Sequence, residues 1–450
     1  MQRTLQTWVV AALLIVAAIH PAMSQGSGQH WVATWGTAQQ AYRAGGGRGA
    51  APPAPAVTTP AATPQTNPAP PAPPAAASGP QRRFGIPPSL SGLNNQTIRM
   101  VARTSIGGDT VRIRLSHAFG ASSVTIGAAR IAIRASGAGI VPDTDRVLTF
   151  SGKTSATLYG GQLLVSDPVR LGVKPLSDLA VSLYFPAETG PPTGHTFGLR
   201  PTYVSGPGDF TSAATIADIT ATMQSYYWLT GIDVIGPADA ATVVTFGDSI
   251  TDGDQSTPDT IGMWPALLAT RLQANRATAR VGVVNAGISG NRLLGDNTSG
   301  LARLMRDALA VPGVKWITVL EGINDITGAT RPGQTPSPTF TAESLIAAYR
   351  QIIETAHMHG VAVIGCTITP YGGSNVHSES GEAIRQAVNT WIRTGGAFDA
   401  VIDFDAATRD PKNPARFRTE ADSPDLLHPG DAGYRLMAEA IDLAIFTRRR

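Results

Sequence analysis

Cysteine is nearly absent from this chain of 450 residues, because Cys366 is the only one. A single cysteine excludes an intrachain disulfide, so the fold depends on packing for its stability. Cys366 lies in the apolar run of residues 361–367, where a thiol is typically an inert part of the core. These core-like neighbours, with no histidine close by in sequence, argue against a cysteine nucleophile.

An excess of charge of one sign is also missing. The chain has 35 Lys and Arg against 32 Asp and Glu, so the calculated pI of 9.1 reflects a near balance and not a basic patch. Nucleic-acid binding is therefore not indicated. With 42% hydrophobic and 15% charged residues the composition is that of a globular protein, and the length allows two domains with sizeable cores.

No apolar run is long enough to span a membrane. The N-terminal apolar stretch, residues 8–19, is shorter than the roughly 20 residues that a spanning helix needs. It follows Arg3 and precedes small residues at 21–24, which is the pattern of a secretory signal peptide. The sequence therefore predicts a signal peptide at residues 1–24 and a secreted or periplasmic protein whose mature chain has no membrane span.

Residues 44–80 consist mostly of alanine, proline, glycine, threonine, glutamine and asparagine. Such a segment cannot build a core, and it predicts an extended, polyproline-like insertion. A role in recognition is the alternative interpretation. Because residues 31–36 have strand character and precede the segment, we expect it to interrupt a domain that spans residues 25–235.

Between residues 98 and 203 the hydrophobic pattern has a period of two. Val111, Ile113 and Leu115, for example, alternate with polar residues. Half-buried strands have this pattern, glycine pairs supply the turns, and no convincing helix intervenes. The sequence predicts an antiparallel β-sandwich.

From residue 241 onward apolar strands alternate with amphipathic helices. We expect strands at 243–246, 281–285, 316–321, 361–367 and 401–404, and helices with apolar faces over 345–356, 384–391 and 434–444. This alternation predicts an α/β domain over residues 240–450, with a parallel sheet between two layers of helices. Ligands bind at the carboxyl ends of such strands, and Ser249, Gly290 and Asn324 all follow strand ends.

Four motifs occupy this domain in a fixed order. They are residues 247–249 (Gly-Asp-Ser), 285–291 (Asn-Ala-Gly-Ile-Ser-Gly-Asn), 322–325 (Gly-Ile-Asn-Asp) and 425–430 (Asp-Leu-Leu-His-Pro-Gly). Taken singly, each is typical of an ordinary turn or loop. Together, on this pattern of strands and helices, they resemble the four blocks of the GDSL, or SGNH, hydrolases, which are serine esterases and lipases. The resemblance implies a flavodoxin-like α/β/α fold.

The same motifs contain the residue types of a catalytic triad. A serine hydroxyl such as that of Ser249 needs a base to remove its proton during attack, and the imidazole of His428 is the candidate. Asp425 lies three residues before it, close enough to fix its tautomer. The resemblance assigns an oxyanion hole to the backbone N–H groups of Ser249 and Gly290 and the side-chain amide of Asn324. Glycine allows close backbone approach, and asparagine is a neutral donor.

Other chemistries are less well supported. The chain has no Gly-x-Ser-x-Gly elbow, and Ser289 lies in the loop assigned to the oxyanion donor. His357 and His359, at spacing two, point in different directions and so do not suggest a metal site. Asp248 and Asp252 lack the His-Asp cluster of a metal-dependent phosphoesterase, and Asp248 is interpreted as holding the turn before Ser249. We expect neither metal nor cofactor.

The substrate follows from the resemblance alone. It implies acetylated polysaccharides or short-chain esters first, and lipid esters, as in a lipase or lysophospholipase, second. A carbohydrate-binding surface protein without activity is the alternative from another class, and the intact motifs count against it. The sandwich looks like the β-rich N-terminal domains of some secreted members. His195 and His377 lie in loops and receive no role.

Overall fold

The computed structural model describes residues 29–42, 90–335 and 337–447. The predicted signal peptide and the Pro-rich segment both lie outside these residues. Within the described residues, no helix has the length and apolar character needed to cross a membrane.

The described residues of the N-terminal part contain fifteen strands. They are β1 (Trp31–Gly36), β2 (Gln96–Arg103), β3 (Gly108–Ser116), β4 (Val124–Ile126), β5 (Ala128–Ile133), β6 (Arg146–Val147), β7 (Ala156–Leu158), β8 (Leu163–Val165), β9 (Val169–Val173), β10 (Asp178–Phe185), β11 (Gly194–His195), β12 (Thr202–Pro207), β13 (Ile219–Met223), β14 (Tyr226–Tyr227) and β15 (Leu229–Ile235).

Two antiparallel sheets enclose the core of this part. One has the order β1-β15-β3-β8, with β9 also paired to β3, and the other has the order β13-β12-β2-β10-β5-β6. Ile113 of one sheet and Val181 of the other belong to the same buried cluster, as the period of two requires. The predicted antiparallel sandwich is confirmed.

The alternating pattern suggests that the opposite face of β3 is polar and exposed, but the arginines on this face form covered ion pairs. Arg112 and Arg114 both donate to the carboxylate of Asp233 on β15, at 3.0 and 3.1 Å. The Asp233 side chain is fully buried, and the pair of guanidinium groups compensates its charge. The charged residues at alternate positions of β3 therefore lie on a covered face, where they are paired with Asp233.

Where the C-terminal part is described, it contains five strands and eight α-helices. They are β16 (Ala241–Gly247), β17 (Val281–Gly287), β18 (Val314–Leu320), β19 (Ala362–Cys366) and β20 (Ala400–Ile402), with α1 (Ser249–Asp252), α2 (Trp264–Ala274), α3 (Gly300–Leu304), α4 (Ile323–Ala329), α5 (Ala342–Met358), α6 (Glu379–Thr394), α7 (Phe404–Thr408) and α8 (Asp431–Glu439).

These five strands form one parallel sheet with the order β17-β16-β18-β19-β20. The predicted parallel sheet with helices is confirmed, and all five predicted strands are present. The strand order reverses at β16, because the chain moves to β17 on one side and then returns to β18 on the other. A crevice forms at such a reversal, beyond the carboxyl ends of the strands.

The prediction of an apolar helix face over residues 434–444 is wrong for its C-terminal end. Helix α8 stops at Glu439, and Ala444 is exposed, whereas Ile445 and Phe446 in a following 3-10 turn are buried. Arg271 of α2 explains the stop, since its guanidinium donates to the carbonyls of Ala438 and Ile441. These carbonyls are therefore satisfied without another helical turn.

The sandwich and the parallel sheet share hydrogen bonds. Strand β1 pairs with β15 of the sandwich, yet the N–H of Ala33 donates to the carbonyl of Pro312, at 3.0 Å. The Ser105 hydroxyl accepts from the N–H of Val283 on β17, at 2.8 Å. Residues from both parts therefore meet beside the strand that leads to Gly290.

Candidate active site

Ser249 is the first residue of helix α1, directly after the central strand β16. The sharp turn depends on Gly247, because a Cβ there would lie 2.1 Å from the Thr251 hydroxyl and 2.5 Å from the carbonyl of Leu320. Asp248 caps the helix, and its carboxylate accepts from the N–H of Ile250 at 3.0 Å. The hydroxyl of Ser249 is thereby held at the carboxyl end of the sheet.

The structure brings the three predicted triad residues together. The Ser249 hydroxyl lies 2.8 Å from Nε2 of His428, and Nδ1 of His428 lies 2.7 Å from Oδ2 of Asp425. A carboxylate only accepts, so Nδ1 carries the proton and Nε2 of the neutral ring is free to accept from the hydroxyl. Ser249 and His428 are 5% and 2% exposed, which shields the hydrogen bond between them from water, whereas the side chain of Asp425 is 32% exposed.

Asp425 is fixed by its own loop. Its Oδ1 accepts from the backbone N–H groups of Leu427 and His428, at 3.0 and 2.9 Å, and from the hydroxyl of Ser423. Burial alone would raise the pKa of Asp425, but the hydrogen bond from His428, the charge of that ring and the backbone donors lower this pKa far below its ordinary value. The carboxylate is therefore ionised at neutral pH.

The three predicted oxyanion donors lie on neighbouring segments. The side-chain amide of Asn324, in α4, donates to the carbonyl of Asn291, the residue after Gly290, at 2.9 Å. Gly290 has a φ of +79°, and no described atom lies within 4 Å of the position of an added Cβ. Glycine is therefore needed here for its backbone conformation. It is not needed for a close approach to other protein atoms. The N–H of Ser249 lies in the first helical turn, where no intrahelical acceptor exists.

Arg303, which the sequence did not single out, holds together the segments that lie beneath the site. Its side chain is fully buried and donates to Oδ1 of Asn291 at 2.8 Å, to the carbonyls of Ala286 and Gly247 at 2.8 and 2.9 Å, and to Glu321 at 3.1 Å. One cation thus joins the ends of β16 and β17 to the residue after Gly290. Arg303 lies in the short helix α3, and its position in the sequence gave no signal of this role.

Three carboxyl groups are buried beneath the site. Burial raises the pKa of Asp248 to about 7 and that of Asp325 to about 6, and it raises the pKa of Glu321 well above its ordinary value. Asp325 accepts from the N–H groups of Leu293 and Leu294, at 2.8 and 2.9 Å. It therefore anchors the far end of the loop that contains Gly290.

The remaining histidines differ in what they contact. His357 pairs with Asp399 at 2.8 Å, His359 bonds its own helix, and the ring of His377 packs near that of Tyr371. Within the described residues, no group of three or more histidine, cysteine or carboxylate side chains is arranged to hold a metal ion. His195, to which the sequence assigned no role, reaches from the sandwich to Asp252 of α1, at 2.9 Å.

Comparisons with known proteins give one family for part of the chain. The profile of the GDSL-like Lipase/Acylhydrolase family matches residues 245–436. A search of curated proteins found no match. Solved structures include a lipolytic protein of the G-D-S-L family from Desulfitobacterium hafniense, 22% identical, with 46% of this chain and 99% of that chain covered and a TM-score of 0.34.

Two further solved structures are similar to part of the chain. An acetyl xylan esterase, AlAXEase, is 21% identical, with 44% of this chain and 96% of that chain covered and a TM-score of 0.34. The M. smegmatis aryl esterase is 16% identical, with 45% and 96% covered and a TM-score of 0.35. The profile match identifies residues 245–436 as a GDSL-like lipase/acylhydrolase domain.

Proposed function

We propose that the protein is an exported serine esterase that hydrolyses carboxylic esters through an acyl-enzyme intermediate on Ser249. The observation that carries the proposal is the continuous line of hydrogen bonds from the Ser249 hydroxyl through His428 to Asp425, at 2.8 and 2.7 Å. Such a line lets an imidazole remove the serine proton during attack and lets a carboxylate stabilise the imidazolium that forms.

Acylation begins when Oγ of Ser249 attacks the ester carbonyl carbon and its proton passes to Nε2 of His428. The carbonyl oxygen becomes an oxyanion, for which the N–H groups of Ser249 and Gly290 and the amide of Asn324 are the donors. A primary amide has two N–H bonds. The one that donates to the carbonyl of Asn291 fixes the Asn324 side chain and leaves the other for the oxyanion.

The intermediate then collapses with loss of the alcohol, which takes the proton from His428. Water enters, His428 removes one of its protons, and the resulting attack on the acyl carbon releases the acid and restores the Ser249 hydroxyl. Asp425 stays ionised throughout, since its lowered pKa keeps it a carboxylate beside the imidazolium.

For the substrate we propose short-chain or acetyl esters of carbohydrates. The family resemblance supports this class, and the shape of the domain boundary is compatible with it. A largely apolar cavity of about 90 Å³ lies between the sandwich and the parallel sheet, lined by residues such as Trp35, Phe197 and Ile261. None of Ser249, His428 and Asp425 lines it, so this apolar volume does not serve as a long acyl pocket beside the nucleophile.

The test compares hydrolysis of p-nitrophenyl acetate by the mature chain, residues 25–450, with hydrolysis by Ser249→Ala. We expect kcat to fall by about four orders of magnitude or more in the variant. Ser380→Ala, at an exposed serine of α6, is the matched control and should keep full activity. Circular dichroism verifies the fold of each variant.

Either of two results would overturn the assignment. Equal activity in Ser249→Ala would place the nucleophile elsewhere, and a folded wild type without activity would favour a binding protein. If the esterase is active, a series of p-nitrophenyl acetate, butyrate and octanoate, with acetylated xylan and lysophosphatidylcholine, separates a carbohydrate esterase from a lipase. Rates that rise with acyl length would contradict the proposed substrate class.

Export is a separate part of the proposal. It rests on the N-terminal sequence pattern of residues 1–24. The full-length chain, expressed in a bacterium with a secretory pathway, should appear in the periplasm or medium with an N-terminus near residue 25. A full-length chain retained in the cytoplasm would refute export and leave the esterase assignment untouched.

A further inference from the structure

His195 belongs to the sandwich but contacts the catalytic domain. Its strand, β11, pairs with β14, and Gly194 exchanges hydrogen bonds with Gln40 on its other side, at 2.6 and 3.1 Å. The imidazole is 3% exposed, and both of its nitrogens have a partner. Nδ1 lies 3.0 Å from the carbonyl of Ala38, and Nε2 lies 2.9 Å from Oδ1 of Asp252.

These partners determine the protonation of the ring. The carbonyl of Ala38 can only accept, so Nδ1 carries a proton, and the Asp252 carboxylate requires a proton on Nε2 as well. Burial would lower the pKa of His195, but the charge and hydrogen bond of Asp252 outweigh burial and the repulsion from Arg303, and they raise the pKa. The pair is thus a buried imidazolium and carboxylate.

The second oxygen of Asp252 holds the loop that contains the predicted oxyanion donor. Oδ2 accepts from the N–H and the hydroxyl of Ser289, at 2.7 and 2.8 Å. The next peptide N–H in the chain is that of Gly290. On the other side of Gly290, Asn291 is held by Arg303. The position of the Gly290 N–H is therefore set from both neighbours.

We infer that His195 is a positioning residue of the esterase: through Asp252 and Ser289 it fixes the Gly290 N–H for the oxyanion, so that the sandwich completes the catalytic site. The inference rests on the proposed function. It assigns the sandwich a part in catalysis that does not depend on binding substrate. Because the relay acts on a donor for the transition state, its loss should affect kcat and not KM.

Two amide replacements separate the two hydrogen bonds of the ring. His195→Gln places an N–H donor near the position of Nε2, within reach of Asp252, whereas His195→Asn places one near Nδ1, within reach of the Ala38 carbonyl only. Both are neutral and similar in size. We expect kcat to fall about 100-fold in His195→Ala and in His195→Asn, with KM within about twofold, and to recover to within about tenfold of wild type in His195→Gln.

Hydrogen exchange provides a readout besides activity. The segment of residues 286–292 should exchange faster in His195→Ala and His195→Asn than in wild type, and at a nearly normal rate in His195→Gln. If His195→Ala fails to fold, the comparison of His195→Asn with His195→Gln still tests the inference.

Equal kcat in wild type, His195→Asn and His195→Gln, with unchanged exchange, would overturn the relay. That result leaves the esterase assignment standing, since Ser249→Ala tests it independently. Conversely, if wild type shows no esterase activity, the proposed function fails and the catalytic role of the relay fails with it, whereas the exchange experiment still reports whether His195 holds the loop.

Discussion

Replacing Arg303 by methionine should destabilise the catalytic domain and slow its reaction together. Three hydrogen bonds of the guanidinium go to neutral oxygens, those of Gly247, Ala286 and Asn291, and one goes to the carboxylate of Glu321. At about 1 kcal/mol for each neutral partner and about 2 kcal/mol for the carboxylate, the loss in free energy of unfolding is roughly 5 kcal/mol. Removal of one partner of a buried ion pair typically costs about 3 to 5 kcal/mol, so the two routes agree.

The assay is hydrogen exchange at increasing urea, read on peptides of β16 and β17, so that the opening of the parallel sheet itself is followed. Arg280→Met is the matched control, since the side chains of Arg280 and its partner Asp239 are 60% and 45% exposed and the change should cost less than about 1 kcal/mol. A loss below about 1 kcal/mol for Arg303→Met would refute the reasoning, as would an unchanged kcat despite the release of Asn291.

Three further changes test single features. Asp248→Asn should gain stability relative to wild type as pH rises from about 4 to about 7. Because the pKa of Asp248 is raised to about 7 in the folded protein, the unfolded chain releases this proton first and wild type loses stability over that window; a difference independent of pH in urea unfolding argues against it. Gly290→Ala should lower the free energy of unfolding by about 1 to 2 kcal/mol and should lower kcat, because the φ of +79° at this position strains any residue with a Cβ. Thermal unfolding and kinetics with wild-type values would contradict this. The buried thiol of Cys366, whose pKa burial raises, should resist Ellman's reagent in the native protein and react once per chain in urea; reaction without denaturant would show that it is accessible.

The sequence was most informative where its signals are local. The run of residues 243–246 followed by Gly-Asp-Ser determines a strand, a sharp turn and a helix start, and all three are present in β16 and α1. Asp425 and His428 are three residues apart, so their hydrogen bond follows from a single loop. Hydrophobic residues recur every two residues along a half-buried strand and every 3.6 residues along the buried face of a helix. These two periods predicted the antiparallel sandwich and the parallel sheet with its helices.

Tertiary structure alone decided how distant segments meet. Arg303 contacts the carbonyl of Gly247 across 56 residues, and His195 contacts Asp252 across 57. Neither side chain forms part of a periodic pattern, and each is a charged or polar residue that becomes buried only because the partner segment compensates it. Local spacing fixes the backbone of a strand or a turn, but the free energy of burying a charge depends on groups brought together by the whole fold. The sequence therefore determined the motifs of the site, and the packing of the two domains determined what holds those motifs in place.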